Sequence, residues 1–362
     1  MSRLLLVALC ALYFTSCERE RVVEVEVERE FSWKANEEFN FDNRLQMNSR
    51  VAGDLMFFLG HTFFTCITAD ASGHPGLSDQ SLVPYLIRLT PPANQKPPIG
   101  KDFHVLYANN GLVRFVPNLN PVSQGAAFDL RLGDLDEDFR FLEGMVYGRG
   151  ESIVINDQNQ VLIPYADSTT EVRMALVDMS YEPDNVQLRH NLDTVRTQII
   201  SIDLPVENFV VAMESIGDRF FITTDNKVFR MESTGQYREV LDQRLYKYFE
   251  IDNFLIGVGL NNLFISADEG LSWTPRSGLD LPVDINFTRI GDRVVAYRFA
   301  QLWEVVLEND ELSFTELDND GLDGLSITSV NLFGDQVYVT SLSGVYNKSL
   351  AEFFVAKEVE GP

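Results

Sequence analysis

The side chains that could do chemistry in this chain are mostly carboxylates, and few of them are arranged for it. Asp268 and Glu269 stand close to Trp273, a grouping of acids and an aromatic ring that could bind a sugar or move a proton. Asp318-Asn319-Asp320-Gly321-Leu322-Asp323 sets oxygen ligands at alternate positions around a turn glycine, which suits calcium. Position 12 of such a loop, where a bidentate carboxylate would complete the shell, is Ser329. Asp318, Asp320 and Asp323 are thus a candidate metal site and calcium the one cofactor left open; a polar turn accounts for the same residues. Asp134-Leu135-Asp136-Glu137-Asp138 repeats the pattern more weakly. The four histidines (His61, His74, His104, His190) are scattered, without the spacing of a zinc site. Nucleophile-elbow, phosphate-loop and dinucleotide-binding glycine patterns are absent. No catalytic residue is therefore expected.

The remaining chemistry is at the start of the chain. Met1-Ser2-Arg3 followed by apolar Leu4 to Phe14 has the layout of a secretory leader, too short to span a bilayer. It runs into Phe14-Thr15-Ser16-Cys17, which resembles the cleavage box of bacterial lipoproteins, with Phe14 where Leu is usual. The resemblance implies cleavage before Cys17 and acylation of that residue. Glu18 to Glu30 (ERERVVEVEVERE) then reads as a solvated tether, and its Val/Glu alternation also has strand period. The acidic start resembles the export signals of Bacteroidetes surface lipoproteins, which implies an outer-membrane location, on the cell surface rather than the periplasmic face. Cys10 goes with the leader, so Cys66 is the lone unmodified thiol of the mature chain and reads as a structural residue.

These residues need elements to hold them, and from Phe31 onward the elements are strands. No long helical period occurs; short apolar runs alternate with Gly, Asp and Asn, and 26 Phe and 12 Tyr favour strands. Four segments share one grammar: a Gly-Asp or Asp-Asn turn, an apolar run, a second turn, then an aliphatic–aromatic pair. Their turn aspartates are Asp218, Asp252, Asp292 and Asp335, and the aromatic follows after 11, 12, 11 and 11 residues. The turns themselves lie 34, 40 and 43 apart, as expected of a repeat whose loops vary. Weaker copies begin at Gly53-Asp54, Lys101-Asp102 and Gly150-Glu151. One such unit cannot bury both of its faces, so the units must stack.

Four-stranded units of this length closing into a ring resemble a β-propeller. The fold expected is all-β, a single propeller of four-stranded blades, seven by this count with six or eight open. Residues 1–16 are assigned to the leader, 17–43 to the lipidated cysteine and charged tether, and 44–362 to the propeller. Within it, Ser266-Ala267-Asp268-Glu269-Gly270-Leu271-Ser272-Trp273 resembles the Asp-box, S/T-x-D-x-G-x-T/S-W. In families that carry it this turn joins the third and fourth strands of a blade, which implies a structural role for Ser266, Asp268, Gly270, Ser272 and Trp273. Asp-box propellers include sialidases, but only one clear box is present here, and Val113-Arg114-Phe115-Val116-Pro117 departs by one residue from the sialidase F/Y-R-I-P segment.

The charge of −25 disfavours nucleic acid and polyanionic surfaces as partners. Two stretches exceed the repeat, Ser168–Pro205 and Ala69–Pro98, and loops on a closed scaffold are where binding residues are carried. The function expected is non-catalytic: an envelope or surface lipoprotein, held to the membrane by its lipid anchor, whose propeller binds a protein or a glycan. A sialidase-like glycoside hydrolase and a structural subunit of an envelope complex are the alternatives.

Overall fold

Each apolar run is long enough to pair with two neighbours and too short to bury itself, and sheet formation follows from that. In a computed structural model of the chain, the described residues are 30–37, 46–60, 64–69, 75–82, 98–107, 111–118, 124–125, 127–139, 153–166, 171–184, 189–203, 210–276, 281–308 and 311–358. The leader, Cys17, the tether to residue 29 and most of 83–97 lie outside them.

The strands form seven antiparallel sheets, the blades of a seven-bladed β-propeller. Blade 1 is Gln46–Ala52, Leu55–Gly60, Phe64–Ala69 and Pro75–Leu82. Blade 2 is Phe103–Tyr107, Leu112–Pro117 and Phe128–Arg131, its first strand reduced to a bridge between Ile99 and His104. Blade 3 is Val154–Ile155, Gln160–Ala166, Glu171–Asp184 and Arg189–Asp203, with Gln124–Gly125 added in parallel at its edge. Blade 4 is Val210–Ile216, Arg219–Thr224, Val228–Met231 and Tyr237–Leu241. Blade 5 is Lys247–Ile251, Phe254–Val258, Leu263–Ser266 and Thr274–Arg276. Blade 6 is Asn286–Ile290, Arg293–Arg298, Gln301–Glu308 and Glu311–Glu316. Blade 7 takes three strands from the C-terminal end, Ile327–Phe333, Gln336–Ser341 and Gly344–Ser349. Its fourth, Lys34–Ala35, comes from the other end of the chain and pairs with Tyr346 and Asn347.

The core sits between blades. Seven apolar clusters are present, one at each junction of neighbouring blades. Successive residues of a second strand serve opposite junctions: Phe220 and Ile222 pack toward blade 3, Phe221 toward blade 5. Both sheet faces are therefore buried, which is why these strands read as unbroken apolar runs rather than alternations. Blades 7 and 1 meet through a polar seam as well. Ser49, fully buried, lies 2.7 Å from both Ser329 Oγ and Thr340 Oγ1, and Asn331 Nδ2 donates to its carbonyl at 3.0 Å.

Three expectations are revised. The propeller begins near Trp33 rather than at 44: Trp33 is 2% exposed, its indole N–H donates to the Asp318 carbonyl at 3.0 Å, and its ring meets Phe353 edge-on. The repeat would place the fourth strand of blade 7 after Val345-Tyr346, but Leu350–Phe353 there is a one-turn helix and the strand is Lys34–Ala35. Blade 3 turns at Asn156–Asn159, not at Gly150-Glu151, so Val154–Ile155 is its first strand rather than its second. That turn lacks glycine. Asn159 takes the positive φ of 62°, and the Asn156 carboxamide oxygen accepts the Gln158 and Gln160 N–H groups at 3.0 and 2.9 Å.

Candidate functional site

The stretch 168–205 is not a loop. Glu171–Asp184 and Arg189–Asp203 pair along their whole length, with a bulge opposite Asp178/Met179 that leaves Val195 unpaired and 68% exposed. The inner halves complete blade 3 and bury Met174, Leu176, Ile200 and Ile202. The outer halves run past the 156–159 turn, where Met179 and Leu192 stay buried in the cluster between blades 2 and 3, Tyr181 packs against it, and Arg189 and His190 pair with Gln124 and Gly125. Six residues, 179–184, continue beyond it, a reach of about 20 Å at ~3.3 Å per residue. Of the other long stretch, 69–98, Pro75–Leu82 is the fourth strand of blade 1 and most of the rest lies outside the described residues.

The turn 266–273 closes the third and fourth strands of blade 5. Ser266 Oγ donates to Asp268 Oδ1 at 2.8 Å and accepts the Gly270 N–H at 2.7 Å. The Asp268 carboxylate also accepts from the Ser272 N–H at 2.9 Å and the Ser272 hydroxyl at 2.6 Å. Burial acts to raise the Asp268 pKa, but these bonds together outweigh it and hold the carboxyl at about 2. Glu269 belongs to the neighbouring blade: Arg219 reaches its carboxylate at 2.5 Å and Arg230 Nε donates to its carbonyl at 3.0 Å. Gly270, at φ 84°, lies directly on Phe221 of blade 4; a Cβ there would come within 2.4 Å of that ring. Trp273 meets Phe221 and Tyr248 edge-on. The Asp268 carboxylate is thus engaged by Ser266 and Ser272 and the exposed Glu269 carboxylate by Arg219, so the Asp268-Glu269-Trp273 grouping presents no open acid–base pair.

The acidic loops have partners too. Asp318 Oδ2 accepts from Lys348 Nζ at 2.7 Å, and Lys348 is buried. The Asp318 and Asp320 carbonyls receive the indole and backbone N–H groups of Trp33, while Asp323 is exposed. Asp136 accepts from Tyr165 Oη and Arg173 Nη1, at 2.7 and 2.8 Å. Among the described residues no three His, Cys, Asp or Glu side chains come together in a group fit for a metal ion. His104 is buried with Nδ1 3.0 Å from Asn118 Oδ1, and burial lowers its pKa to about 4, so it stays neutral at pH 7.

One polar grouping was not foreseen. Arg50, on the first strand of blade 1, keeps part of its surface accessible while protein encloses it; desolvation lowers its pKa against the raising fields of Glu214 in blade 4 and Asp157 in blade 3. An arginine in the middle of the strand Gln46–Ala52 was the available signal. Tyr248, on the first strand of blade 5, is in the field of the same Glu214; its hydroxyl is 2.5 Å from Thr223 Oγ1, and burial raises its pKa well above the usual range.

No protein-family model and no curated protein matches the sequence. Among solved structures the chain is similar to PorZ, an essential bacterial surface component of the type-IX secretion system of Porphyromonas gingivalis, at 10% identity and a TM-score of 0.48. That match covers 88% of this chain and 39% of PorZ, so the chain spans well under half of that protein's length. It is also similar to the AfRom2 CNH domain, at 10% identity and a TM-score of 0.43, over 88% of this chain and 97% of that one.

Proposed function

We propose that this protein is a non-catalytic binding module of the bacterial envelope, acylated at Cys17 and displayed on the outer membrane, whose propeller holds a protein or glycan partner. The observation that carries the reading is the blade 3 hairpin, whose two strands stay paired well past the point where the neighbouring strand of the blade ends. The leader, Cys17 and the charged tether support the location.

The hairpin also dictates the experiment. Removing 168–205 would strip two strands and their buried side chains from blade 3, so binding and folding would be lost together. Replacing 182–191 by a two-residue turn keeps the Tyr181–Leu192 pair, Met179 and the paired inner strands. The shortened protein should melt like wild type, remain on the cell surface, and fail to co-purify the partner that wild type brings down after in-cell crosslinking. Retention of the same partner would refute the role of the hairpin. Separately, Cys17→Ala should abolish incorporation of labelled palmitate; labelling that persists would refute the anchor.

A further inference from the structure

From blade 3 round through blade 7 to blade 1, the first strands pack side by side in turn, so they line the inner wall of the ring. Their pairing with the second strands fixes which residues share a height on that wall. Three residues before the first turn stand Arg50 in blade 1, Glu214 in blade 4, Phe249 in blade 5, Thr288 in blade 6 and Asn331 in blade 7. They lie opposite Phe57, Phe221, Ile256, Val295 and Tyr338 in turn. Two of the five serve packing between blades. Phe249 stacks on Phe287 with ring centroids 3.8 Å apart, and Asn331 Nδ2 donates to Ser49. Of these five blades only 1 and 4 carry charges at this height. The charges are of opposite sign, and in a ring of seven blade 4 lies across the axis from blade 1.

Arg50 and Glu214 are both partly accessible, and the Glu214 charge reaches Arg50. Asp157 joins them at the mouth. It is exposed, its backbone N–H donates to the Gly217 carbonyl and so sets it beside the blade 4 turn, and its charge also acts on Arg50. The rest of the wall is mixed in sign. Lys247 stands two residues deeper than Phe249, while Glu250 and Arg289 are exposed nearer the turns, Arg289 donating to the Glu250 carbonyl at 3.1 Å. Charges held out of water add little to stability compared with apolar residues of similar size. A charge perturbed by burial beside specific partners in a concave place marks a place of use.

We infer that the mouth of the central channel, between Arg50 on one side and Glu214 with Asp157 on the other, binds a small zwitterion that carries a carboxylate beside an ammonium, as an α-amino acid does. The guanidinium donates to the carboxylate, a geometry it is shaped for. Glu214 and Asp157 face the ammonium. A simple anion would meet two carboxylates there and a simple cation would meet Arg50, so a ligand with both charges is the one the wall complements. The site lies apart from the hairpin and does not depend on it.

The test uses the mature chain and the free proteinogenic amino acids. Differential scanning fluorimetry at millimolar amino acid finds those that raise Tm, and isothermal titration calorimetry measures their affinity. At least one should raise Tm and bind saturably. Its N-acetyl and methyl ester forms, each lacking one charge, should bind at least about tenfold more weakly. Arg50→Gln and Glu214→Gln should each lose at least about tenfold in affinity, with Arg50→Lys in between because it keeps the charge without the paired donors. The comparison of derivatives is made on wild type, so it stands even where a variant fails to fold. No rise in Tm with any amino acid would leave Arg50 and Glu214 as a structural pair of charges and overturn the inference. So would equal binding of the N-acetyl or ester form, or unchanged affinity in folded Arg50→Gln. The protein with the shortened hairpin should bind the same amino acid as wild type does, which separates this site from the partner that the hairpin holds.

Discussion

Replacing Asp268 by Ala should weaken the fold without touching recognition, and the structure sets the size of the effect. The carboxylate gathers the Ser266 hydroxyl and both polar hydrogens of Ser272, and its pKa falls from 3.8 to about 2. A tenfold change in proton affinity is worth about 1.4 kcal/mol, so the displacement caps the contribution of the charge at about 2.5 kcal/mol. Asp268 is solvent-exposed, and screening reduces this to about 1 kcal/mol. The folded-state pKa is the lower one, so the contribution is complete above pH 3.8 and is lost as pH falls through about 2. Urea unfolding followed by tryptophan fluorescence should show Asp268→Ala about 1 kcal/mol less stable than wild type at pH 7, with Asp268→Asn in between. The gap should close as the pH approaches 2. Identical midpoints at pH 7, or a gap that survives unchanged at pH 2, would refute the assignment of these bonds. A variant that melts normally but no longer binds a partner would show that the turn is a recognition site instead.

Two further substitutions test the packing. Gly270→Ala places a methyl group against Phe221 at a positive φ and should cost about 2–4 kcal/mol by denaturant unfolding; a loss under 1 kcal/mol would mean that blades 4 and 5 are not in this contact. Trp33→Ala should cost about 3–5 kcal/mol and speed proteolysis at the junction of blades 6 and 7; unchanged melting would show that the N-terminal strand does not close the ring.

The parts of the fold that could be read from sequence are those where local chemistry and packing agree. Gly-Asp turns are legible because the backbone needs a positive φ there, as at Gly217, Gly291 and Gly334. The blade 3 turn escaped because asparagine supplied that conformation and its side chain supplied the hydrogen bonds. The hairpin at 171–203 looked like a loop because Arg196, Thr197 and Gln198 are exposed on an outer strand and show no apolar pattern. Ring closure was out of reach for a different reason. Two residues, Lys34 and Ala35, carry it, and what holds them is a Trp, a buried Lys and an Asp more than 280 positions away. The polar turn at 266–273 was readable as a closed structure because its acceptors are satisfied within eight residues.

Closing blade 7 with residues from both ends of the chain also fixes a load path. If the chain is held at Cys17, drag on the propeller passes along the tether and enters the domain at Ser32 and Trp33. Two residues of strand pairing would peel apart one bond at a time under such a pull. The Trp33 side chain, seated against Phe353 and bonded to the Asp318 carbonyl, adds to that pairing a buried anchor in the cluster shared by blades 6 and 7, which such a pull would have to extract. The clasp that completes the ring is then also the fastening by which the protein withstands being pulled from outside.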